Sequence, residues 1–426
     1  MADLPPRFTA DLEDTLHIPH PPADQATGTG SSSSSVGSAA SRSTPRRWDD
    51  PPEDEPSAPP PENTTTMVFV RTCIVSSLHG PEIAHLTYTP TDTHLAAVVH
   101  TVGNAGFNPQ GPYTVAVWSA RTGARLARLH VSSVHALNVN GGFAFKPGVA
   151  DMIVACPFLY PFARPESYDH RSGCLPPRLE VYDLGRRERL AKAEVPVRAP
   201  VAWSPDGTTL AAVSVREPSR VVVLRLVAAA AASASGGGKG GGKDATTRVE
   251  VGPVLMGHVD EVTQLAFVPQ WAADGRLVQG ALVSAGRDGF VRVTDVASGR
   301  TLKKIEVGGR AAPGILRVSP DGRLVVTVWG RDVVVWWLDS GRVHSYSLHS
   351  VRQHEGWPLC VSPDCRYLVC RTEDGFDVSD VETGKFRGEL AIRGQPITSA
   401  AVNSDGTRLA VGDYKGGLQM FEILTP

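Results

Sequence analysis

The sequence has no long apolar run: nothing in it approaches the roughly 20 consecutive apolar residues of a membrane-spanning helix, and no N-terminal apolar segment has the form of a secretory signal. A soluble intracellular protein of the cytoplasm or nucleus is expected, with no membrane insertion. A basic excess is missing as well, since the net charge is −2, so no nucleic acid partner is expected. Cysteine is sparse. Six residues (Cys73, Cys156, Cys174, Cys360, Cys365, Cys370) spread over 426 positions read as reduced thiols rather than a disulfide framework. Cys360, Cys365 and Cys370 have four residues between neighbours, and the first and last lie in strand-like runs, so neither a metal site nor another cofactor is expected there. Beyond Thr66 no segment sustains the 3.6-residue apolar period of an amphipathic helix.

What is present divides at about residue 66. Residues 1–66 hold twelve prolines, the run Ser31 to Ser35 and the acidic stretch Asp49 to Glu55, and residues 1–65 carry a net charge of −7 against +5 for the remainder. So few apolar side chains cannot offset the entropy of ordering, and a disordered acidic Pro/Ser-rich tail is expected. Phe8, Leu12 and Leu16 recur every four residues, which would form an apolar stripe if this segment folded as a helix on a partner. Three apolar residues also fall at that spacing by chance.

From residue 67 onward the texture is all-β: short runs rich in β-branched residues, separated by Gly, Pro, Asp and Ser. One turn recurs, as YTPTD at Tyr88, FKPG at Phe145, WSPDG at Trp203, FVPQ at Phe267, VSPDG at Val318, VSPDC at Val361 and VNSDG at Val402. Its proline, or the equivalent Ser404, falls at 90, 147, 205, 269, 320, 363 and 404, with gaps of 57, 58, 64, 51, 43 and 41 residues. The last two gaps match the roughly 40 to 45 residues of a four-stranded propeller blade. The longer ones carry insertions, around His100 to Thr114, in CPFLYPFARPESYDHRSGCLPP, in the flexible Ala/Gly loop 228–247, and in PQWAADGR. Second strands follow the turns at Leu210, Leu324 and Leu409, and third strands end at WSARTG, TDVASG, WLDSG and SDVETG. The final repeat stops after its third strand, GLQMFEIL, and MVFVRTCIVS from Met67 is placed to supply the missing outer strand. A seven-bladed β-propeller over residues 67–426, closed by that N-terminal strand, is the fold expected, because closure removes exposed sheet edges.

Gly257 to Asp295 is the fullest repeat. Its GHVDEVTQLAFVP and LVSAGRDGFVRVTD resemble the Gly-His start, Ser-x-x-x-Asp turn and terminal Trp-Asp of the WD40-repeat family, with Thr294 in place of the Trp. The resemblance implies that His258, Ser284 and Asp288 form a buried hydrogen-bonded set with a structural role, and that the disc presents loops to partners without chemistry of its own. Other repeats lack the Gly-His start, so the blade count rests on spacing.

Motifs of catalysis are incomplete. GGKGGGKD (Gly237 to Asp244) matches GxxxxGK but ends in Asp where a phosphate loop needs Ser or Thr. QHEGWP at His354 lacks the second histidine of HExxH, and no GxSxG occurs. Asn63 heads a glycosylation sequon without a secretion signal. Phosphoinositide-binding propellers rely on a paired-arginine FRRG motif, and FRG at Phe386 has one arginine. No enzyme is expected. The alternatives are a propeller enzyme, hydrolase-like, or a phosphoinositide-binding propeller.

In a WD40-like disc the second-to-third strand loops and the starts of the first strands share one face. The two long loops of blades one and two carry Phe107, Tyr113, Phe158, Tyr160, Phe162, Arg164, Tyr168, His170 and Arg171, the aromatic and arginine side chains that anchor interfaces. Such loops also fold back on their own disc. Arg198, Glu261, Arg310 and Trp357 are further candidates where first strands begin. A scaffold that binds a protein or peptide, as a monomer or as a subunit of a complex, is the function expected.

Overall fold

The computed structural model describes residues 67–75, 82–100, 113–131, 143–148, 153–158, 178–227, 248–269, 271–273, 276–278, 280–308, 312–348, 357–392 and 396–424. The tail 1–66 and the loop 228–247 lie outside the described residues.

Each recurring turn joins the first and second strands of a four-stranded antiparallel sheet. In Trp203 to Thr209 the Ser204 hydroxyl accepts from the Thr209 N–H at 2.9 Å, the Gly207 N–H donates to Ser204 O at 2.8 Å, and the Asp206 carboxylate accepts from the Thr208 N–H at 3.0 Å. The same bonds recur around Ser319 and Ser362, with Asn403 taking the serine's place in the last turn. The fourth residue of these turns is left-handed, as Gly207, Gly322 and Gly406 are, and Asp92 and Cys365 occupy that conformation without being glycine, at φ 59° and 62°.

Seven such sheets form among the described residues, each ordered first, second, third, outer strand. Their first strands are Glu82–Tyr88, Ala144–Phe145, Val197–Trp203, Val262–Phe267, Pro313–Val318, Trp357–Val361 and Ile397–Val402. The chain is an all-β, seven-bladed β-propeller. Blade 7 takes its outer strand from the N-terminal side: Val68–Val75 runs antiparallel to Leu418–Leu424, with Phe69 opposite Ile423 and Arg71 opposite Phe421. The PQWAADGR insertion of blade 4 pairs as a small hairpin, Trp271–Ala273 with Arg276–Val278.

Ring closure is visible in the packing. Among the described residues seven apolar clusters occur, one between each pair of neighbouring blades, including the seam of blades 7 and 1, where Ile83, Leu86, Leu95 and Trp118 pack on Ala401, Ala410, Leu418 and Met420. Blades 4 and 5 share the largest side chains, Trp329 and Trp336, both 2% exposed. Burying an apolar side chain of this kind contributes about 1.5–3 kcal/mol. Polar groups tie blades together as well. The Trp203 Nε1–H donates to Ala144 O at 2.9 Å and the Thr263 hydroxyl to Pro313 O at 3.1 Å, while the Thr398 and Ser399 hydroxyls both donate to Ile83 O, at 2.8 and 2.9 Å.

Antiparallel order divides the loops between two faces. The upper face holds the starts of the first strands and the second-to-third connections; the lower face holds the recurring turns and the third-to-outer connections.

Candidate binding face and the polar core beneath it

His258 precedes the first strand of blade 4, and Ser284 lies on the second strand, Ala281–Gly286. Asp288 follows in the turn after it. The imidazole sits between them, its Nδ1 2.9 Å from Asp288 Oδ1 and its Nε2 2.8 Å from Ser284 Oγ. A carboxylate only accepts, so the Nδ1–H donates to Asp288; burial favours the neutral ring, whose bare Nε2 accepts from the Ser284 hydroxyl. Asp288 also accepts from the Val259 and Phe290 N–H groups, at 3.1 and 3.2 Å. Burial pushes the His258 pKa below its ordinary value despite the opposing pull of Asp288. For Asp288 burial pushes upward, but the bonds from His258 and the two N–H groups outweigh it and hold the carboxyl below the usual range. Gly286 is required here, because a Cβ would lie 2.7 Å from His258 Nδ1.

Serine, histidine and aspartate in this order match the contacts of a nucleophilic triad, but substrate has no route to them. The histidine and aspartate side chains are 4% and 1% exposed. The adjoining cavity, about 10 Å³, holds no more than one water. The arrangement fastens the start of blade 4 to its second strand.

Above it, on the upper face, charged and aromatic groups meet across blades. Arg198 of blade 3 pairs with Glu261 of blade 4 at 2.7 Å, and Arg287 takes the other Glu261 oxygen at 2.8 Å. In blade 6 Trp357 is 49% exposed, with the Arg331 guanidinium from blade 5 stacked 4.8 Å from its ring centroid. Val259 and Tyr414 are exposed on the same face. Of the residues singled out in the sequence, the structure thus brings Arg198 and Glu261 together and leaves Trp357 apart from them. Tyr113 begins the third strand of blade 1 and Phe158 ends the second strand of blade 2, so both backbones reach this face. Tyr160, Phe162, Arg164, Tyr168 and Arg310, with Phe107, His170 and Arg171, lie outside the described residues. Sequence reasoning missed Arg287 and Arg331. Both occupy the short second-to-third turns of their blades, positions that the repeat frame assigns to this face.

Comparison with known proteins bears on the same stretch. The family model described as WD domain, G-beta repeat matches residues 250–295, which run from the outer strand of blade 3 through the third strand of blade 4. That stretch is a WD40 repeat, set in a seven-bladed β-propeller. The chain is similar to WD repeat-containing protein SL1-17 of Schistosoma mansoni, 26% identical over 94 residues, which cover 22% of this chain and 31% of that protein. Small ribosomal subunit protein RACK1y of Oryza sativa subsp. japonica is 27% identical over 176 residues, 39% of this chain and 49% of that protein. The chain thus spans about a third to a half of the length of these curated relatives.

Proposed function

We propose that this WD40-like propeller is a non-enzymatic scaffold that holds a protein or peptide on the upper face of its disc. The reading rests on one observation: Trp357, half exposed and stacked by Arg331, stands on the same face as the Arg198, Glu261 and Arg287 cluster. An aromatic ring already held by a guanidinium loses little freedom on binding, which favours it as an anchor. Glu261 shares its two oxygens between two arginines, so the cluster is preorganised and retains donor groups for a partner's acceptors. The proposal also takes Tyr113, Phe158, Tyr160, Phe162, Arg164, Tyr168 and Arg310 as partner contacts, on the sequence pattern of aromatic and arginine residues. The closed state of the His258 trio supports the absence of catalysis there.

The experiment is a quantitative affinity capture from the native cell with three chains: wild type, Trp357→Ala, and one with Phe158, Tyr160 and Phe162 all replaced by Ala. Partners of the upper face are recovered with wild type and lost with the variants while the melting temperature holds. Equal recovery with all three would remove this face from consideration.

A further inference from the structure

We propose a second binding site, on the lower face between blades 3 and 4, that takes an extended peptide of a partner carrying an apolar residue between an acidic and a basic one. A cleft of about 960 Å³ opens there. Its floor is apolar, with Val223, Phe267, Val251 and Pro253 among its lining, and Val251 is 58% exposed.

The cleft has a local cause. The outer strand of blade 3, Arg248–Leu255, shifts register against the third strand between Val222 and Leu224. Gly252 lies over Val223 so closely that a Cβ would be 3.2 Å from Val223 O, and Pro253 has no N–H to offer a ladder. The strand therefore bulges and leaves the two blades apart at their lower edge.

The unengaged charges at the rim identify the occupant; the third charge of the lining, Asp206, is taken up by bonds from Ser204 and Thr208. Arg225 and Glu250 are cross-strand partners in register, both exposed, and both line the cleft. Among the described residues neither makes an ion pair or a side-chain hydrogen bond, although opposite charges at such positions commonly pair. A cation and an anion side by side, each free, complement a segment that brings one charge of each sign. In an extended peptide, residues i and i+2 point the same way and i+1 the other. Side chains i and i+2 then meet Arg225 and Glu250 while i+1 enters the apolar floor. A small hairpin, Trp271–Ala273 with Arg276–Val278, follows Pro269, which lines the cleft. The site shares no residue with the upper-face cluster, so either can fail without the other.

The test pans a phage-displayed random heptapeptide library against the immobilised full chain and measures an enriched peptide by fluorescence anisotropy. Enriched peptides should carry acid, apolar and base at consecutive positions. The double variant Arg225→Glu with Glu250→Arg should weaken such a peptide by about tenfold and prefer the peptide with its acid and base exchanged. That inversion separates recognition from loss of fold, and Trp357→Ala should leave the affinity unchanged. The proposal is overturned by no enrichment over the bare support, or by enriched peptides that bind the double variant equally well. A chain lacking residues 229–246 that binds about tenfold more tightly would make the chain's own segment the occupant, and would overturn it too.

Discussion

Replacing His258 by Ala tests how the polar core holds blade 4 in place. The substitution removes a charge-assisted hydrogen bond to an aspartate 1% exposed, leaves the Ser284 hydroxyl without its acceptor, and opens a cavity the size of an imidazole. Loss of the bonds and the buried volume costs about 3–5 kcal/mol. Unfolding a domain of about 360 residues changes the entropy by about 0.75 kcal/mol per kelvin, so the melting temperature should fall by about 4–7 °C. Calorimetry gives that number, and hydrogen exchange at the Val259 and Phe290 amides, which donate to Asp288, locates it. Asp288→Ala should cost more than Ser284→Ala, because it strands those two N–H groups as well as the imidazole. Acid titration supplies the sign. Folding lowers the His258 pKa, so the unfolded chain binds more protons as pH falls below the ordinary value of about 6.5. The stabilisation is complete above that value and is lost below it, and the gap between wild type and His258→Ala should narrow from pH 7 to pH 5. A gap that widens on acidification, or a variant that melts with wild type, would refute the reasoning.

Three further outcomes are expected. Ser404→Pro restores the proline of the other turns, yet it should destabilise by about 1–2 kcal/mol in denaturant unfolding, because the Ser404 N–H and hydroxyl both donate to the Asp92 carboxylate across the seam of blades 7 and 1. Burial pushes the Cys360 and Cys365 thiols up to about 12, so mass spectrometry after maleimide treatment of the native protein at pH 8 should find both unlabelled, and labelled once the chain is unfolded. Gly286→Ala should destabilise as strongly as His258→Ala in the same melts, since its Cβ collides with the His258 ring.

Much of the fold was legible because the recurring turn uses its own side chains: Ser, Asp and Gly close it locally, and so the motif survives in sequence wherever the bonds do. The outer strand of blade 7 was legible for a different reason, as a final repeat one strand short and an unassigned β-run at Met67. Less visible were the departures. Asp92 and Cys365 take a glycine's conformation, and a loop-like insertion in blade 4 pairs as a hairpin. The Arg198 and Glu261 pair joins residues 63 positions apart, which no local pattern announces. Arg331 over Trp357 depends on the angle between two blades. The cleft beside Gly252 follows from a register shift, and alternation of apolar residues does not reveal which strand carries an extra one.

The closed ring is tested most directly by a disulfide across its seam. Val70 faces Glu422, and both are exposed. A chain with Val70→Cys and Glu422→Cys is oxidised and then cut by a lysine-specific protease within residues 228–247, where Lys239 and Lys243 lie. The account predicts two halves that stay joined on a non-reducing gel and separate on reduction, with neither single variant joining them. Halves that separate without reductant would show that the first and last strands are not neighbours, and would contradict the closed disc on which both binding faces depend.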